Sequence, residues 1–160
     1  MISPISDYTK GVTVYMDVRS RSYNALWQEN NHLYEQWARA HGLSYNELLI
    51  LISLVDSDNG CSQKDVSRQW MIPKQTVHSI LKNMVRQKLV FLESSIADKR
   101  SKHIRFTDEG RRFAEQITGE LFRLEQKIWD RLGTEQTKAL LHGLSLCNQF
   151  MKEEIALEHT

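Results

Sequence analysis

Two prolines, Pro4 and Pro73, and seven glycines are few for 160 residues, so most of the chain is free to be helical. Cysteine is nearly as scarce. Cys61 and Cys147 lie far apart and make neither a disulfide framework nor a zinc-ligand pattern. The six histidines (His32, His41, His78, His103, His142, His159) have no i, i+4 pairing and no nearby cysteine at metal-ligand spacing. No metal and no cofactor are therefore expected. Apolar runs never approach the roughly 18 residues that span a bilayer, which argues against a membrane partner. The opening MISPISDYTKGVTVYMDVRS lacks a basic segment followed by an apolar core, so a cytoplasmic location is the expectation. There is no phosphate-cradling glycine loop and no nucleophile–base pairing, so an enzyme is not expected.

Net charge is also small, +1, but it is unevenly spread. Residues 60–106 hold ten Lys/Arg against three acids, a local +7, while residues 1–59 and 107–160 each count to −3. Positive charge gathered in one central window of an acidic body points to a polyanion-binding surface.

The hydrophobic pattern supplies the elements. The first dozen residues lack helical periodicity and read as an arm. From Asp17 onward Tyr23, Leu26, Trp27, Leu33, Tyr34 and Trp37 recur at spacings of three and four, predicting an amphipathic helix that ends near Gly42. Ser44-Tyr45-Asn46-Glu47 matches a capping box, opening a helix that turns Leu48, Leu51, Ile52 and Val55 inward. Ser62-Gln63-Lys64-Asp65 is a second capping box, before a short helix expected to bury Val66 and Trp70. After a turn at Met71-Ile72, Pro73 suits the first position of a helix running to about Lys88, with Val77, Ile80, Leu81, Met84 and Val85 inward. Val90–Glu93 and His103–Phe106 are β-prone runs joined by a polar hairpin tip, 94–102. Thr107 reads as the cap of a long helix carrying Phe113, Ile117, Leu121, Leu124, Ile128 and Leu132. Gly133 ends it and Thr134 caps a last helix with Leu140, Leu141, Leu144, Cys147, Phe150 and Met151 on one face.

Helix, turn, helix and basic hairpin together predict a winged helix-turn-helix, mainly α (α+β), that binds double-stranded DNA. The second helix of the motif would enter the major groove. Gln75 could pair with adenine, Thr76 and Ser79 could reach bases or phosphates, and Lys74, Lys82 and Arg86 suit phosphates or guanine. His78 and Asn83 share that face, and Ser62 and Gln63 open the preceding helix. In the hairpin tip, Lys99, Arg100, Ser101 and Lys102 follow Asp98; Arg100 is placed for the minor groove and Asp98 for holding the tip in shape. A merely solvated helix face is the bland alternative to this reading.

The wing sequence Asp98-x-Arg100-x-Lys102, followed at once by Phe106-Thr107-x-x-Gly110, resembles the MarR (multiple-antibiotic-resistance regulator) family over about residues 17–155. The resemblance implies a homodimeric transcriptional regulator, with a repressor released by a small-molecule effector as the leading expectation. It also implies two recognition helices on successive major grooves of a pseudo-palindromic operator. Pro73-Lys74-Gln75 opens the recognition helix where that family varies, so the base sequence read does not carry over. The dimer has a footing in the residues too. Large apolar stripes on the first and last two helices lie outside the compact winged unit, and mutual burial across a two-fold axis would cover them. Packing of those helices on each other within one chain is the alternative.

The expected organisation is a single unit over 1–160. Residues 44–106 form its winged helix-turn-helix part, and 17–42 with 107–155 a helical dimerisation part. An effector pocket in such a protein would sit between these parts, with Tyr34, Trp37 and His41 as candidate lining residues and Arg86 nearby. Tyr34 and Trp37 could equally be dimer-core aromatics. Cys61, near the positive end of a helix, is placed to favour thiolate, and Cys147 reads as a small core residue. The competing class of function is a winged-helix protein-assembly module with no specific DNA binding.

Overall fold

Helices dominate the computed structural model, which describes residues 5–6, 13–14, 17–57, 60–94 and 102–158. Two residue pairs of the N-terminal arm, β1 (Ile5–Ser6) and β2 (Thr13–Val14), pair antiparallel. Then follow α1 (Val18–Ala40), α2 (Tyr45–Val55), β3 (Cys61–Ser62), α3 (Gln63–Trp70) and α4 (Lys74–Arg86). β4 (Val90–Ser94), β5 (Lys102–Phe106), α5 (Asp108–Leu132) and α6 (Thr134–Glu158) complete the chain.

The caps set these boundaries. Asp17 opens α1 by accepting the Arg19 amide at 3.1 Å. Both predicted capping boxes form: Ser44 with Glu47 on α2, and Ser62 with Asp65 on α3. Each satisfies amides that the first helical turn leaves unpaired. Pro73 sits one residue earlier than expected, as the cap itself, and supplies no side-chain hydrogen bond to α4. Thr107 Oγ1 accepts the Gly110 amide at 2.9 Å and donates to the Lys88 carbonyl oxygen at 2.7 Å. One hydroxyl thus starts α5 and ties it to the end of the α4 segment.

The wing sheet has three strands in the order β3-β5-β4, all antiparallel, one more than the hairpin read from sequence. Cys61 pairs with Ile104 and Ser62 with His103. Gly60 permits this approach: its φ is +76°, and a Cβ there would meet the Ile104 carbonyl oxygen at 2.5 Å. Lys102 lies in β5 opposite Ser94, not in the hairpin tip.

The core is two joined clusters. The first, beneath the winged unit, gathers Ile50, Leu51 and Leu54 of α2 with Val66, Val77, Leu81, Met84, Val90 and Ile104, and borrows Ala114 from α5. The second joins Ala38 of α1, Leu48 of α2, and Ile117 and Leu121 of α5. α2 is therefore the central helix and is covered on more than one face. Leu49, Ile50 and Leu54, unmarked by its periodicity, are buried, while Ile52 and Val55 are only partly so. Trp70 and Ile80 are also half-buried, and Val85 is exposed, contrary to expectation.

Beyond the first turns of α5 the picture changes. Phe122, Ile128, Leu141, Phe150 and Met151 are half or more exposed, as are Leu26, Trp27 and Leu33 on α1. α6 buries no residue at all, and Cys147 is exposed rather than a core residue.

Candidate nucleic-acid interface

α4 has one buried and one open face. Val77, Leu81 and Met84 are buried, while Lys74, Gln75, His78, Ser79, Lys82 and Arg86 are exposed, and Thr76 and Asn83 lie half-buried at the border. The hydrophobic contacts of the first face fix the axis of α4; the second is left to solvent.

The turn before α4 is closed by specific bonds. Met71 ends α3 in the left-handed region (φ 55°) with its side chain in solvent, and Ile72 plugs the core. Ser67 Oγ donates to the Ile72 carbonyl oxygen at 2.7 Å. Gln63 Nε2 donates to the Lys74 carbonyl oxygen at 2.9 Å, so the start of α3 is stapled to the start of α4. Gln63, Lys74, Gln75, His78 and Ser79 then line a shallow groove across the two helices. Because Pro73 offers no capping oxygen, the first amides of α4 face outward without a side-chain acceptor, an arrangement that suits an anion.

Several predicted side chains are already partly engaged. Ser62 Oγ donates to Asp65 Oδ2 at 2.6 Å and accepts the Asp65 amide, so its hydroxyl serves the cap. Ser79 Oγ donates back to the Gln75 carbonyl oxygen at 2.9 Å. Arg86 Nη2 donates to Asn83 Oδ1 at 2.6 Å, one turn back on the same helix, and Arg86 borders none of the hollows beside Tyr34 and Trp70. Asp98, Lys99, Arg100 and Ser101 lie outside the described residues.

The cations divide into two kinds. Arg68 pairs with Asp65 at 3.0 Å, and Arg105 pairs with Glu93 across β4 and β5. Lys64, Lys74, Lys82, Arg86, Lys88 and Lys102 have no acidic partner among the described residues, Arg86 being bonded to the neutral Asn83. Among the described residues of the basic window these six are the charges left to neutralise an outside polyanion. Hydrogen bonds from the Ser62 hydroxyl and amide hold the Asp65 carboxyl below the usual carboxylate range, with Arg68 adding to the effect. Asp65 is therefore a fixed anion of the cap.

Cys61 behaves opposite to the sequence reading. It is half-buried in β3, and desolvation, with Asp65 adding to it, pushes its thiol up to about 11. The neutral thiol wins over any helix-end stabilisation of thiolate.

The effector candidates are brought together only in part. Tyr34 Oη donates to Glu125 Oε1 of α5 at 2.7 Å, and burial first, then that carboxylate, raises the phenol's pKa. Trp37 stacks on His41 with ring centroids 3.9 Å apart, and His41 Nε2 lies 3.2 Å from Glu120 Oε2. Tyr34 borders two hollows and Trp37 one, but His41 borders none of them. A hollow of about 500 Å³ lies instead between the ends of α2 and α3 and the middle of α5. Its walls include Val55, Trp70, Phe122 and Glu125, none of which periodicity marks as a site.

Comparison with known proteins agrees with this geometry. The family model described as "MarR family" matches residues 41–101, from the end of α1 into the wing. An uncharacterised HTH-type transcriptional regulator of Staphylococcus aureus (strain MSSA476) is 23% identical over 131 residues, spanning 82% of this chain and 88% of that protein. Among solved structures, a MarR family regulator from Neisseria meningitidis superposes with a TM-score of 0.74 at 22% identity, covering 88% of this chain and 98% of its own. The MepR–DNA complex of S. aureus gives 0.70 at 23% identity, covering 79% and 96%. At these identities the structural likeness establishes the fold.

Proposed function

We propose that the chain, whose residues 41–101 match the MarR family model, is a winged helix-turn-helix transcriptional regulator that binds DNA and works as a homodimeric repressor. In this reading two copies of α4 lie in successive major grooves of a pseudo-palindromic operator, and a small-molecule effector releases them. The observation that carries the reading is the open face of α4: exposed Gln75, His78 and Lys82 beside unpartnered lysines, on a helix whose opposite face is locked into the core. Gln75 is the candidate base reader. Lys74 and Lys82, with the uncapped first turn of α4, are candidate phosphate contacts, and Asp98, Lys99, Arg100, Ser101 and Lys102 keep their proposed wing roles. A relative solved as a DNA complex supports the same docking.

Dimerisation is supported by the apolar residues that one chain leaves in solvent on α1, α5 and α6. Leu26 at 66%, Phe122 at 60% and Leu141 at 56% exposure would be costly in a free monomer, and a second copy would cover them. We assign 17–42 and 107–155 to this interface and 44–106 to DNA.

Sedimentation equilibrium at micromolar concentration tests the arrangement. A species of twice the chain mass is expected, shifting to monomer in Leu141→Asp/Phe150→Asp. On duplexes carrying inverted repeats, the dimer should prefer half-site centres about 10 bp apart. A folded wild-type monomer would overturn the two-half-site arrangement.

A further inference from the structure

Histidine is the side chain whose charge changes between about pH 5 and 8, so its place in a polyanion-binding surface matters. The basic window holds two, His78 and His103. His103 has acidic company in its own chain: it lies opposite Glu93 in the wing sheet, and it helps to keep the Asp65 carboxyl ionised. His78 has none. It is exposed on the open face of α4, with no hydrogen bond or ion pair among the described residues. Lys74 stands one turn before it and Lys82 one turn after it. The groove beside it is lined by Gln63 of α3 and by Lys74, Gln75 and Ser79 of α4, and no carboxylate borders that groove. α3 contributes only the uncharged Gln63; its own carboxylate, Asp65, is engaged by the Ser62 hydroxyl and Arg68.

Position on the helix decides what His78 can meet. With Val77, Leu81 and Met84 in the core, residues four apart form rows along the open face. Lys74, His78 and Lys82 make one row, and Gln75 and Ser79 the next. The first row starts on the flank nearest α3, where Gln63 Nε2 is bonded to the Lys74 carbonyl oxygen at 2.9 Å. In a helix-turn-helix the first helix crosses the sugar–phosphate backbone while the second lies in the groove. The Lys74–His78 flank is thus turned to phosphates, and Gln75 and Ser79 to base edges.

We propose that His78 is a proton-linked phosphate contact: duplex binding brings a phosphate against the imidazole, which takes up a proton from solvent and is held there as imidazolium. Imidazolium beside two ammonium groups has no opposite charge in the free protein; the phosphate supplies it. The inference deepens the DNA-binding part of the proposed function and rests on it, making affinity a function of pH as well as of salt. The sign follows from linkage. Because the complex binds more protons than the free partners, affinity rises as pH falls, by at most about tenfold per pH unit for each histidine.

Fluorescence anisotropy of the full chain at fixed salt, on an inverted-repeat duplex and a scrambled one, tests this from about pH 8 to about pH 6. Affinity is expected to rise roughly tenfold or more on both duplexes, with a salt slope steeper by about 1–2 at the acidic end. Isothermal titration in two buffers of different ionisation enthalpy should show net proton uptake on binding. His78→Gln keeps a polar side chain at an exposed position and so preserves the fold. It should remove most of the pH dependence and of the proton uptake. His78→Lys should remove the pH dependence while holding affinity high throughout. A pH dependence that survives His78→Gln, or one that disappears in His103→Gln instead, would overturn the assignment. So would an effect confined to the inverted repeat, which would make His78 a base reader. If duplex binding is present but its pH profile is indifferent to His78, only this inference falls; if duplex binding is missing at every pH, the proposed function falls.

Discussion

Gly110→Ala is expected to destabilise the protein by about 2–4 kcal/mol and to weaken DNA binding with it. A Cβ at Gly110 would sit 1.7 Å from the Leu89 carbonyl oxygen and 2.5 Å from its carbon. Those are backbone atoms and cannot rotate aside as a side chain would. They also belong to a bonded knot. The Leu89 carbonyl oxygen accepts the Thr107 amide at 3.1 Å, and Thr107 Oγ1 reaches both the Lys88 and Leu89 carbonyl oxygens. A methyl group there must push the first turn of α5 away from the segment joining α4 to β4. The cost is repulsion plus loss of the Thr107 bonds, and the displaced element carries the recognition helix. Gly119→Ala is the matched control, since its Cβ meets only Arg123 Nη1 at 3.5 Å. Inside a helix that change should be neutral or stabilising by up to about 1 kcal/mol. Urea unfolding of both variants decides the matter, and equal midpoints would show that the α5–Leu89 approach is slack.

The Thr107-x-x-Gly110 spacing shows what a sequence can reveal. Caps are local: Ser44 with Glu47, Ser62 with Asp65 and Thr107 with Gly110 each declare a helix start within four residues, and all three formed. Periodicity likewise placed the helices. It failed where burial was not one-sided, as on α2, whose Leu49, Ile50 and Leu54 are covered by neighbours far along the chain. It also failed where partners are tertiary. β3 is two residues long and exists only because Gly60 lets it reach Ile104. The Tyr34–Glu125 bond joins residues 91 apart, and Ser53 holding Trp70 has no local signature. The open face of α4 was legible because exposure and charge share the helical period. The hollow was not, because three elements build it from residues that each look ordinary.

Affinity for duplex DNA is expected to fall about a thousandfold between roughly 50 and 200 mM salt. Each phosphate neutralised releases condensed counterions, so the log–log slope counts the cations that contact DNA. Arg68 and Arg105 should contribute little, because Asp65 and Glu93 already hold them. Lys64, Lys74, Lys82, Arg86, Lys88 and Lys102 remain among the described residues of the window in each protomer. Half of the twelve in a dimer at phosphates would give a slope of about −5, which over a fourfold change in salt is the thousandfold loss. Lys82→Ala, present twice in the dimer, should make the slope shallower by about 1–2 and weaken operator and scrambled duplex alike. Gln75→Ala should leave the slope unchanged while costing about 1–3 kcal/mol on the operator and little on scrambled DNA. Fluorescence anisotropy on both duplexes across a salt series measures all three. A slope near zero would remove the unpartnered lysines from the interface, and equal losses for Gln75→Ala on both duplexes would remove Gln75 from base reading. The two outcomes are independent, because counterion release depends on charge at the phosphates and discrimination depends on hydrogen bonds at the base edges.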